Sequence, residues 1–136
     1  MSTFTFPVRV YWEDTDAGGV VFYANYLKFF ERARTEWLRA AGVEQQRLRD
    51  DTGAMFVVAE VQTRYLAPAR LDDLLHVTVR VEEHGAASMV IVQEAFRGDM
   101  LLAKGRIRIG CVQAESLRPC RIPASVVNAL AGSGNN

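Results

Sequence analysis

Cysteine, histidine and long apolar runs are scarce in this 136-residue chain. The two cysteines, Cys111 and Cys120, do not stand as a CxxC pair and are too few for a disulfide framework. They are expected to be free, reduced and partly buried, as in a cytoplasmic protein. The two histidines, His76 and His84, lie far from any metal-ligand spacing, so no metal is expected. No apolar run approaches the roughly 20 residues of a membrane span. Residues 1–8 carry no basic stretch and no long apolar core, so no signal peptide is expected either. Sixteen basic and sixteen acidic residues cancel. No global field therefore draws nucleic acid, and any anion site must be local.

What is present reads as one globular domain. Hydrophobic residues make up 49% of the chain and charged residues 24%, an ordinary balance for a folded core. The length fits a single unit, residues 1–131, with residues 132–136 expected as a disordered tail. No internal repeat or linker interrupts it.

Residues 8–12 are rich in β-formers and read as a first strand. A polar, glycine-bearing loop follows over residues 13–19. Asn25 is a candidate N-cap for a helix whose apolar positions are Tyr26, Phe29, Phe30, Ala33, Trp37, Ala40 and Ala41. Lys28, Arg32, Thr35 and Arg39 fall on the opposite face, and Gly42 stands where a C′ glycine belongs. Residues 43–50 suit a short surface helix. The second half alternates with strand periodicity. Val57, Ala59, Val61, Thr63 and Tyr65 should share one face. Leu75, Val77, Val79 and Val81 alternate with His76, Thr78, Arg80 and Glu82. Residues 88–96 are nearly continuous in apolar character, which suits a central strand. Gly98-Asp99 forms a turn, and residues 101–111 alternate again. Pro123 begins a last helix through Leu130. One long amphipathic helix followed by hairpin-linked strands implies an α+β domain with an antiparallel sheet wrapped round that helix.

The segment that carries chemistry is residues 10–36, VYWEDTDAGGVVFYANYLKFFERARTE. Asp14 and Asp16 stand in a loop just ahead of the helix. Gly18 and Gly19 permit a tight turn and let a ligand approach the backbone. Phe22, Tyr23 and Tyr26 are able to wall a pocket. The first N–H groups of a helix lack internal partners and carry partial positive charge, so they can hold an oxyanion. A carboxylate beside them can act as nucleophile or as general base toward water. Asp before a helix also serves as a simple cap, and Gly-Gly as a simple turn. The loop by itself leaves both roles open.

The same residues resemble the signature of the 4-hydroxybenzoyl-CoA thioesterase family, and within it most closely the Tol–Pal-associated acyl-CoA thioesterases. The resemblance rests on Asp14-Thr15-Asp16-Ala17-Gly18-Gly19-Val20-Val21, Asn25-Tyr26 and Glu31-Arg32-Ala33-Arg34-Thr35-Glu36. Weaker matches are residues 65–73 and Gly105-Arg106-Ile107, so the likeness spans about residues 8–123. It implies a hotdog fold of about five strands, dimers that join two sheets side by side, an active site at the dimer interface, and often a homotetramer. It implies Asp16 as the catalytic carboxylate and the Tyr23 backbone N–H as the oxyanion donor. The Tol–Pal branch often carries His where this chain has Tyr23, so only the backbone role carries over.

The activity so implied is hydrolysis of an acyl-CoA, or of an acyl group on acyl carrier protein, with no metal or organic cofactor. Asp14 is expected to shape the loop. Gly19 and Phe22 are expected against the substrate, and Val57 and Val58 against the acyl group or pantetheine arm. Arg106 and Arg108, with Lys104 on one strand face, are candidates for the coenzyme A phosphates; a merely solvated face is the plainer alternative. Two other functions compete. A hotdog dehydratase would need a histidine near the helix, which Tyr23-Ala24-Asn25 does not supply. A non-catalytic acyl-thioester binding module would use the same pocket without turnover.

Overall fold

The alternating second half of the chain becomes a set of antiparallel hairpins. The computed structural model describes the backbone of residues 3–133 and the side chains of residues 3–131. Its strands are β1 (Phe4–Arg9), β2 (Ala54–Tyr65), β3 (Leu74–His84), β4 (Ser88–Arg97) and β5 (Met100–Gln113). They form one five-stranded sheet in the order β1-β3-β4-β5-β2. Every neighbouring pair is antiparallel. The helices are α1 (Asn25–Ala40), α2 (Gln45–Thr52) and α3 (Ala124–Ser133). This is the α+β hotdog arrangement that the resemblance implies.

α1 buries Tyr26, Phe29, Phe30, Ala33, Trp37 and Leu38. Each large apolar side chain removed from water contributes about 1.5–3 kcal/mol. Ala40, expected on that face, is exposed, and the buried stripe of α1 ends at Leu38. Gly42 ends the helix at φ +87°. Its N–H donates to the Arg39 carbonyl at 3.0 Å, and that of Val43 donates to the Leu38 carbonyl at 2.8 Å, a Schellman ending. Leu75, Val77, Val79 and Val81 of β3 are buried as the alternation requires. On β5, Ala103, Ile107, Ile109 and Cys111 face the core, and so does Gly105. A β-carbon on Gly105 would meet Phe30 at 2.8 Å, so α1 closes on the sheet where one side chain is missing.

Further sequence expectations change. β1 occupies residues 4–9 rather than 8–12, since Trp12–Asp14 forms a 3-10 turn. The expected single face of β2 is broken. A bulge between Val58 and Glu60 shifts the register, and Val58, Val61 and Tyr65 are exposed along this edge strand. α3 runs three residues past Leu130. Of the expected tail, residues 134–136 lie outside the described residues.

Candidate active site

Residues 14–22 fold back on themselves as a miniature hairpin that leads into α1. The Asp16 N–H donates to the Val20 carbonyl at 2.9 Å, and the Gly19 N–H donates to the Asp16 carbonyl at 3.0 Å. Gly19 holds φ +77° with open space at its missing β-carbon, so the turn needs glycine for its backbone conformation. At the base of the hairpin, Phe22 N–H donates to the Asp14 carbonyl at 3.0 Å. Val21 N–H reaches the Ala69 carbonyl at 2.8 Å, which fastens the hairpin to the β2–β3 connection.

The two carboxylates differ sharply. Asp14 is buried, and its Oδ2 accepts the Tyr11 N–H at 2.8 Å. Its side chain is spent on shaping the loop. Asp16 is exposed at the hairpin tip. Its Oδ1 accepts the Gly18 N–H at 2.9 Å, which orients the carboxylate and leaves Oδ2 without a partner among the described residues.

Asn25 is not the N-cap. Ala24 occupies that position without a side-chain capping bond. The Asn25 amide instead donates from Nδ2 to the Asp14 carbonyl at 2.8 Å. The helix start is tightened by i→i−3 bonds: Asn25 N–H to the Phe22 carbonyl at 2.8 Å, Tyr26 to Tyr23 at 3.3 Å and Leu27 to Ala24 at 3.1 Å. Among the described residues, the N–H groups of Tyr23 and Ala24 donate to no acceptor. These are the orphan donors at the positive end of the helix dipole.

Aromatic side chains wall this tip. The rings of Tyr23 and Tyr65 meet edge-on with centroids 5.8 Å apart. Together with Val21, Tyr26, Leu66, Ala67 and Pro68 they line an open crevice of about 280 Å³. Phe22 packs beside Tyr23 at 4.9 Å and is half exposed. Tyr26 is buried, and its hydroxyl accepts the Ala69 N–H at 3.1 Å. Burial pushes that hydroxyl above its ordinary range, and the Ala69 hydrogen bond opposes the shift only in part.

The remaining sequence candidates lie elsewhere. Val57 and Val58 line a second cavity of about 310 Å³ along the later turns of α1, with Trp37, Leu38, Met89 and Ile109. Arg106 and Arg108 project from the sheet face away from α1, since their β5 neighbours at 105, 107 and 109 point toward it. Arg106 is held by Glu82 at 2.6 Å and Glu83 at 3.3 Å. Arg108 makes no ion pair among the described residues.

Sequence reasoning missed a polar cluster under α1. Gln93 is fully buried on β4. Its Nε2 donates to the Phe30 carbonyl at 3.0 Å and the Thr78 carbonyl at 3.3 Å. Its Oε1 accepts Arg34 Nη1 at 2.9 Å. Burial lowers the Arg34 pKa, with Glu31 opposing. Arg34 and Glu31 line the cavity of Val57 and Val58. The one available signal was a lone amide inside the apolar run 88–96.

A model of the thioesterase-like superfamily matches residues 10–130. The acyl-CoA thioesterase YbgC of Haemophilus influenzae is 45% identical over 127 residues, 93% of each chain. The acyl-CoA thioester hydrolase YbgC of Escherichia coli O6:H1 is 42% identical over 125 residues, 91% of this chain and 92% of that one. Among solved structures, a probable thioesterase from Bartonella henselae superposes with a TM-score of 0.86 at 33% identity, covering 90% of this chain and all of that one.

Proposed function

The chain belongs to the thioesterase-like superfamily, and from that membership we infer that it hydrolyses acyl-CoA to a free acid and coenzyme A. It is a thioester hydrolase. The residue roles that follow are our proposal.

The carrying observation is the pair of orphan N–H groups at Tyr23 and Ala24, beside a hairpin that presents the Asp16 carboxylate to solvent. The acyl carbonyl oxygen points at the Tyr23 N–H, where negative charge develops as the thioester carbon becomes tetrahedral. One such donor is worth roughly 3–4 kcal/mol in the transition state. Asp16 then attacks the carbon or takes a proton from the attacking water. Collapse of the tetrahedral species expels the thiolate of coenzyme A. Where water attacks, this yields the free acid directly; where Asp16 attacks, it leaves an acyl–Asp16 anhydride that water then cleaves to free acid and carboxylate. Gly19 keeps the hairpin tip bare for substrate approach, and Phe22 flanks the reacting group.

A second copy of the chain completes the site in this proposal. β2 is an edge strand of 12 residues that leaves Val58 and Val61 exposed, a surface that pairing with another β2 would cover. The tip of one protomer would then serve the cavity of Val57 and Val58 in its partner, in a homodimer or a homotetramer. Arg106 and Arg108 are assigned to the coenzyme A phosphates. Arg108 is the better placed, as it makes no ion pair among the described residues. Lying behind the sheet, they reach substrate only round the β2 edge or across a subunit boundary. Acyl carrier protein is a second acyl donor, and a cytoplasmic location agrees with substrates of this kind. No helix among the described residues is long and apolar enough to cross a membrane.

The test is release of free thiol from a graded panel of acyl-CoA esters by the purified protein. Turnover of at least one class supports hydrolysis. Saturable binding with no thiol release across the panel would favour the binding module instead.

A further inference from the structure

Cys111 and Cys120 lie together at the end of β5, away from the active-site loop. Val112 and Pro119 are bridge partners in antiparallel register, which sets Cys111 directly opposite Cys120. The Cys120 N–H donates to the Cys111 carbonyl at 2.9 Å, and the two sulfurs are 3.5 Å apart. The Cys111 N–H turns to the Ala87 carbonyl at 2.8 Å, so the pair makes one of the two cross-strand bonds. Directly opposed residues of antiparallel strands have α-carbons about 4.5–5.5 Å apart, within the span a disulfide bridges. Both are free thiols, Cys111 buried and Cys120 half-buried.

We propose that this pair is an oxidation site at which a peroxide forms an intrachain cystine, fastening the C-terminal segment to β5. Ile122, Val126 and Leu130 of that segment are buried in the core. Cys120 is the sulfur that solvent reaches, and it reacts first. Burial, with the neighbouring sulfur adding to it, pushes the Cys111 thiol up to about 12, so Cys111 stays protonated while Cys120 attacks the peroxide. The part of that rise due to the Cys120 sulfur is lost once Cys120 is oxidised. The Cys120 thiolate takes one oxygen from the peroxide O–O bond, giving a sulfenic acid and hydroxide. The Cys111 sulfur then displaces that oxygen. An S–S bond forms, the S–O bond breaks, and the Cys111 proton leaves with the hydroxyl as water.

The experiment exposes the purified full chain to hydrogen peroxide, followed by intact mass, thiol titration under denaturing conditions and a thermal melt. Expected are a mass lower by two hydrogens, no titratable thiol, a single-chain species and a higher melting midpoint. Dithiothreitol should reverse all four changes. Cys120→Ser should keep its Cys111 thiol under the same exposure. Added oxygen at Cys120 with Cys111 still reduced would overturn the proposal. So would a cross-link between chains, or two intact thiols after a dose that consumes glutathione in the same tube.

Discussion

Asn25 Nδ2 donates to the Asp14 carbonyl at 2.8 Å, and so ties the first residue of α1 to the base of the hairpin that carries Asp16. The bond links the oxyanion donors to the carboxylate. Asn25→Ala should cost about 1 kcal/mol of stability and lower kcat by about tenfold, because small misplacements of reacting groups are expensive. KM should change little. Asn25→Asp, which has no donor, should not rescue kcat. Urea unfolding alongside steady-state kinetics checks both parts.

Gly105 leaves the Phe30 ring the space that a β-carbon would occupy. Gly105→Ala sets a methyl 2.8 Å from the Phe30 ring and should destabilise the fold by about 1–3 kcal/mol. A urea midpoint unchanged from the parent would contradict this packing.

Apolar spacing announced α1, and alternation announced β3 and residues 103–111 of β5, which each bury one regular face. At the start of β5 the face slips, and Leu102 rather than the expected Leu101 is buried. The Gly18-Gly19 turn was legible because turn preference depends on near neighbours; that it closes a hairpin through the Asp16 N–H and Val20 carbonyl was not. Asn25 looked like a cap because cap preference is a local statistic. Its actual bond, to Asp14, spans 11 residues. β2 misled, since an edge strand with a bulge need not keep one face dry. Gln93 and Arg34 stayed hidden because their partnership crosses 59 residues. The partners of Arg106, Glu82 and Glu83, lie two strands away across β4.

Tyr26 provides a pH test. Its hydroxyl titrates above 10.0 in the folded chain, chiefly through burial. A raised pKa means that the folded state holds the proton more tightly. Its contribution is therefore complete below the unfolded value and is lost as pH rises through the folded one. Tyr26→Phe also leaves the Ala69 N–H without its acceptor and should cost about 1–2 kcal/mol at neutral pH. Above pH 10 the gap between parent and variant should shrink. A gap that widens there would reverse the sign.

Arg108→Glu should raise KM for acyl-CoA by about tenfold, the scale of one lost charged contact, while leaving a truncated thioester that lacks the nucleotide unaffected. Arg106→Glu should act more weakly, as Glu82 and Glu83 already occupy its guanidinium. Equal effects on both substrates would remove these residues from phosphate binding.

Thiol release by Asp16→Asn tests the account most directly, with circular dichroism and oligomeric state matched to the parent. The exchange keeps an acceptor for the Gly18 N–H but removes the charge that attacks or takes the proton. The account predicts a fall in kcat of about a hundredfold or more on every active acyl-CoA. A correctly assembled Asp16→Asn protein that turns over at the parent rate would contradict it.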